Sequence, residues 1–183
     1  AIRKNIFDAV GGFDESYRFA SGEDNDLSYR IRQKGYDIFF SKNALVDHFH
    51  TESLLKYLKE QWRHGFWRMR LYRQHPRMAK GDDYTFWKDI IEVPLSFAGL
   101  LVLALSFLPG IPFVIKFLGG LIIFIHISIE LFFGINIGGP ERKGFLLALV
   151  MFFRSYARTF GLVFGLSHLL LFQKTKTKFI SIK

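Results

Sequence analysis

The chain has 183 residues, a formal net charge of +9, 22 phenylalanines and no cysteine. The absence of cysteine excludes disulfides and thiolate metal sites. The positive charge points to an anionic partner, either nucleic acid or an anionic membrane surface. The first residues already read as folded sequence, with no basic lead into a short apolar run, so we expect this piece to continue a longer protein.

In chain order, "RKNIFDAVGGFDESY" comes first, with a Gly-Gly turn at Gly11 and Gly12 followed by Phe13, Asp14 and Glu15. "GEDNDL" then crowds Glu23, Asp24 and Asp26 into four positions. Asp24 and Asn25 suit a helix N-cap and Gly35 suits the C′ position, which predicts a short helix between them. "YDIFF" and "NALVDHFH" alternate as two extended runs, the second ending in His48 and His50. The predicted order is turn, acid cluster, helix, strand and short strand. Taken structurally, the acids cap the helix and favour its positive end, and His48 is a hydrogen-bonded residue at a strand end.

From Lys56 to Lys88 the chain carries nine Lys and Arg, with Trp62, Phe66, Trp67 and Tyr72 among them. Aromatic and basic residues alternating before an apolar run suit a helix in the membrane interface. A stacking platform for single-stranded nucleic acid uses the same residue types, but the neighbouring apolar run favours lipid, and no nucleic-acid partner is expected. Ile90–Leu108 is an apolar run in which only Glu92 is charged, and about 20 such residues cross a bilayer as a helix. After "PGIP", Phe113–Ile137 is a second apolar run carrying Lys116, His126 and Glu130. After "GGPERKG", Phe145–Phe172 is a third, interrupted by Arg154 and Arg158. The basic joint should be cytoplasmic, the Pro109–Pro112 turn external, and Arg142 and Lys143 internal. The two arginines make the third run costly as a span unless a partner or water meets them, so it is open whether this run crosses, tilts or turns back. His126 and Glu130 share a helical face and are expected to pair with Arg154 or Arg158, or else to line a groove for a polyprenyl-phosphate lipid.

The first fifty residues resemble family-two glycosyltransferases, the inverting sugar transferases of GT-A fold. The matching elements are an apolar lead-in, Gly11–Glu15, Gly22–Leu27, Gly35–Ile38 and Val46–His48, in the family's order. Membrane-attached members also end in a basic joint and a few spans. The resemblance implies residues 1–55 as the C-terminal part of an α/β GT-A catalytic domain, residues 56–89 as an interface helix, and residues 90–183 as two or three transmembrane helices. It implies Asp24 as the general base that takes the acceptor hydroxyl proton, with Glu23 and Asp26 supporting it. Gly12, Phe13, Asp14, Gln61 and Arg63 are the implied acceptor-binding residues. His48 is implied as a ligand for a divalent metal, Mn or Mg, at the donor diphosphate. The implied partners are a nucleotide-sugar donor, a glycan or lipid-linked acceptor and membrane lipids, at a multi-pass cell membrane with the catalytic part cytoplasmic. Polysaccharide or cell-envelope synthesis would follow.

Two departures stand out. No Asp-x-Asp precedes the acid cluster, so the metal and donor half of the family's site is not in this chain, which is expected to be inactive alone. The processive members' Gln-x-x-Arg-Trp motif has Gln61 but His64 and Gly65 in its last two places, which favours single-sugar transfer. The alternative is a non-enzymatic membrane protein whose basic face binds anionic lipid or a partner.

Overall fold

The computed structural model describes residues 1–17, 21–49, 51–80 and 87–172. Six α-helices follow one another: α1 Lys4–Ala9, α2 Glu23–Gln33, α3 Leu54–Gln74, α4 Trp87–Ser106, α5 Phe113–Gly138 and α6 Arg142–Phe172, with a 3-10 turn at Pro76–Lys80 after α3.

The α/β expectation for residues 1–55 is overturned. Among the described residues there is no strand. The two alternating runs form no regular secondary structure and lie open, with Phe39 and Phe40 each 87% exposed and Phe49 97%. Alternation makes a strand only when a neighbouring strand supplies hydrogen bonds and a face to bury, and no such neighbour exists among the described residues. His50 and the lysine-rich tail lie outside them.

α1 and α2 close a small apolar core of Val10, Leu27 and Ile31, with Ile6 and Phe7 against it. The chain reverses between them at Gly11 and Gly12, whose φ values of +83° and +68° suit glycine. α2 ends as its sequence predicts. Gly35 is left-handed, its N–H donates to the Arg32 carbonyl, and Tyr36 N–H donates to the Ile31 carbonyl. Its start differs from expectation: the N-cap is Gly22 at φ +123°, with no side-chain cap, so Asp24 and Asn25 fall inside the first turn.

α4, α5 and α6 are long and apolar enough to cross a membrane, and membrane association follows from them. Their polarity is inverted relative to a soluble bundle. Phe107, Phe113, Phe117, Phe124 and Phe132 point outward, while Lys88, Glu92, Ser96, His126, Glu130, Ser155 and Thr159 are buried. The third apolar run is one unbroken helix of 31 residues, roughly 46 Å at 1.5 Å per residue. Glycines let the helices approach closely: Gly119 of α5 faces Val102 of α4, and Gly134 and Gly138 of α5 face Gly144 and Ala148 of α6.

α3 packs along α6 in the same way. A Cβ on Gly65 would lie 2.1 Å from the Arg158 carbonyl oxygen, one on Gly161 1.9 Å from the Trp62 oxygen, and one on Gly165 2.4 Å from the Phe66 oxygen. The aromatic residues of α3 therefore turn towards protein. Trp62 packs on Phe164, Phe66 on His168, and Trp67 on Tyr17.

Candidate active site

The three clustered carboxylates have different surroundings, set by their positions on α2. Asp26 faces inward and is 2% exposed. Its Oδ2 accepts from Arg30 Nε at 2.9 Å and Nη2 at 2.7 Å, and its Oδ1 lies 2.7 Å from His75 Nε2. Arg30 also donates to the carbonyl oxygens of Val10 and Gly12. Asp26 thus ties the acid helix to the glycine turn through Arg30, and to the end of α3 through His75. Glu23 reaches back to the loop, its Oε2 accepting from Ser21 N–H at 2.6 Å. Asp24 points to solvent, with Oδ1 accepting from Asn25 N–H at 2.8 Å.

The acceptor-side candidates fall into two groups along α3, one at its C-terminal end and one near its middle. Asp14 lies at the C-terminal end. Its Oδ1 accepts from Ser16 N–H at 2.9 Å and its Oδ2 from Gln74 Nε2 at 3.0 Å, with Arg70 3.6 Å away. Partial burial works to raise its pKa, but the hydrogen bonds from Ser16 and Gln74, aided by the Arg70 charge, prevail and hold it at about 2. Gly12 contributes its carbonyl to Arg30, and Phe13 stacks edge-on against Phe7 at 5.6 Å. Tyr17 donates to Gln74 Oε1 at 2.7 Å, and burial, then the Asp26 charge, pushes it up to about 12. Gly11, Asp14, Asp26, Arg30, Gln74 and His75 line an open cleft of about 330 Å³.

Gln61 belongs to the other group. It is buried, and its Oε1 accepts from Arg158 Nε at 2.7 Å. Thirteen residues separate Gln61 from Gln74, roughly 20 Å along a helix, so the structure does not bring Gln61 and Asp14 together. Arg63, half-buried, is on the same stretch of α3. Beside it, His64 Nδ1 lies 3.0 Å from Ser21 Oγ. Partial burial, then the Arg158 charge, lowers the His64 pKa, while Glu60 and Asp24 oppose the shift. Asp24 thus lies within electrostatic range of His64.

His48 is exposed on the irregular segment between α2 and α3. Among the described residues no three His, Cys, Asp or Glu side chains converge to hold a metal ion. These residues alone do not fit the divalent metal that the resemblance implies.

Behind α3 lies a second polar cluster. Lys88 Nζ lies 2.9 Å from Glu92 Oε2 and from Glu130 Oε1. Arg154 Nη2 lies 2.6 Å from Glu92 Oε2, and Arg158 Nη1 lies 3.3 Å from Asp89 Oδ1. His126 Nε2 is 3.1 Å from Ser155 Oγ and 3.5 Å from Glu130 Oε1. The expected partners are thus exchanged: Glu130 pairs with Lys88, and the arginines pair with Asp89 and Glu92. Three cations meet three anions, so the cluster is neutral without His126.

Several residues that build the site escape the sequence analysis. Arg30 stands four residues after Asp26, a spacing that signals an ion pair. Gly161 and Gly165 form a small-xxx-small pattern, which signals close helix packing. Gln74 and His75 carry no local signal, because their partners lie 60 and 49 residues away.

Residues 1–66 match the family described as "Glycosyltransferase like family 2". A protein of Leishmania donovani named "Galactofuranosyl glycosyltransferase" is 29% identical over 119 residues, 56% of this chain and 27% of that protein. The chain thus spans about a quarter of that relative's length. No solved structure matches.

Proposed function

Taking residues 1–66 as family-two glycosyltransferase sequence, we propose that the protein moves a sugar from a nucleotide-sugar donor to a glycan or lipid-linked acceptor. Asp24 is the general base and the anomeric configuration inverts. The acceptor oxygen attacks the anomeric carbon as its proton passes to the Asp24 carboxylate. The bond from that carbon to the diphosphate oxygen breaks, and the nucleoside diphosphate leaves with the electron pair. A sugar hydroxyl is a poor nucleophile, so proton removal has to accompany attack. One observation carries the assignment: of the three clustered carboxylates, Asp24 alone faces solvent, while Glu23 holds the Ser21 amide and Asp26 is buried between Arg30 and His75. α4, α5 and α6 anchor the site to the membrane, with residues 1–80 on the cytoplasmic side where nucleotide sugars are made.

The test uses the full-length protein in proteoliposomes with a panel of nucleotide sugars, a galactofuranose donor among them. Consumption of one donor with inversion at the anomeric carbon supports the reading. Retention of configuration, or no consumption of any donor, contradicts it.

A further inference from the structure

We propose that His64 of α3 and Arg158 of α6 are positioning residues for Asp24, so that the third apolar helix is part of the catalytic framework and not only a membrane tether. The proposal rests on the sugar-transfer reading of Asp24.

Asp24 sits in the first turn of α2, so its place depends on what fixes the N-terminus of that helix. No side chain caps it, and Gly22 at φ +123° leaves the backbone permissive there. Ser21 supplies one anchor, beside the contacts of Asp26 with Arg30 and His75. The Ser21 N–H donates to Glu23 Oε2, and its hydroxyl meets His64 Nδ1 at 3.0 Å. Ser21 is 6% exposed while His64 reaches the surface, so the link is partly buried, on its serine side.

His64 in turn stands between two residues that grip Arg158. Three positions before it, Gln61 Oε1 accepts from Arg158 Nε at 2.7 Å. One position after it, the Arg158 carbonyl oxygen fills the space that a side chain at Gly65 would need. Arg158 therefore touches α3 with both main chain and side chain, on either side of His64. Its guanidinium is fixed from the other direction by Asp89, 3.3 Å away on α4. Arg158 and Asp24 both act on the titration of His64, in opposite senses, which places all three in one electrostatic neighbourhood. The path runs from α4 through Arg158, Gln61 and Gly65, then His64 and Ser21, to the turn that carries Asp24. A simple tether needs no partly buried amide–guanidinium pair at this point. A general base displaced by about an ångström loses roughly 100-fold in rate, so a rigid link here has a catalytic consequence.

The experiment uses the full-length protein in nanodiscs, in a cysteine-free background, with spin labels at positions 25 and 59 and distances read by electron–electron double resonance. The wild type is expected to give one narrow distribution. His64→Leu and Arg158→Met should broaden or shift it, and His64→Asn, which presents a polar group at the Nδ1 position, should restore it. Turnover should fall about 10- to 100-fold in His64→Leu with donor KM unchanged, and recover in His64→Asn. An unchanged distribution in both His64→Leu and Arg158→Met overturns the coupling. A broadened distribution with unaltered turnover overturns the positioning role. Absence of transfer by the wild type overturns the sugar-transfer reading instead, and the distance measurement still decides the coupling.

Discussion

Gly65 of α3 meets Arg158 of α6 backbone to backbone, with 2.1 Å left between the Arg158 carbonyl oxygen and the place a Cβ would take. A side chain there must push the two helices apart and break the Gln61–Arg158 hydrogen bond beside it. Gly65→Ala should therefore destabilise the protein by about 1–3 kcal/mol, the scale of overpacking in a tight contact. Gly120→Ala on α5, where nothing lies within 4 Å of the added carbon, should cause no loss. Thermal unfolding in detergent compares the two. Equal midpoints for both variants would argue against a tight α3–α6 seat.

The Asp14 contacts carry a pH signature. Its pKa is held at about 2, against an ordinary value of 3.8. Because the folded value is depressed, the stabilisation is fully present above the unfolded value and fades as pH falls through the folded one. Asp14→Asn should be less stable than wild type near neutrality, and the difference should vanish towards about pH 2. A gap between the two unfolding curves that is independent of pH would contradict the linkage of Asp14 to Ser16 and Gln74.

Lys88 is 4% exposed and stands between Glu92 and Glu130, themselves 3% and 1% exposed. Removing the ammonium leaves buried negative charge without its counterion. Lys88→Met should cost about 3–5 kcal/mol. Lys88→Met with Glu130→Gln restores neutrality and should recover part of that loss. Additive losses in the double variant, read from unfolding midpoints, would show that the two groups act separately.

Orientation follows from the basic joint. Single cysteines at positions 78, 111 and 143 of an otherwise cysteine-free full-length protein report it. A membrane-impermeant thiol reagent on intact cells should label position 111 and spare 78 and 143. Labelling at 78 would place the acid helix away from cytoplasmic nucleotide sugars and contradict the proposed function.

The parts legible in the sequence are those whose signals are local. About 20 apolar residues in a row announce a membrane-length helix, and the runs around Ser96, His126 and Ser155 became α4, α5 and α6. Gly35 marked the end of α2 because only the residue past the helix needs a positive φ. The runs around Phe39 and Val46 alternate as strands do but form none, because alternation describes half of a ladder and the described residues hold no other half. α2 starts earlier than its acids suggest because Gly22 accepts the positive-φ turn as N-cap, leaving no N-cap role for Asp24. The pairing of Lys88 with Glu130 and of Asp26 with His75 joins positions 42 and 49 residues apart, which no local pattern encodes. Charged residues in apolar runs announced that partners existed without naming them.

The division of labour among Glu23, Asp24 and Asp26 is the central claim, and turnover of the full-length Asp24→Asn variant tests it most directly. Asn keeps the size of the side chain but cannot take a proton from the acceptor. Since Gly22 is the N-cap, the substitution should leave the unfolding midpoint nearly unchanged. Sugar transfer should fall by about two to four orders of magnitude, the usual contribution of a general base. Near-normal transfer by Asp24→Asn, with the protein as stable as wild type, would contradict the account.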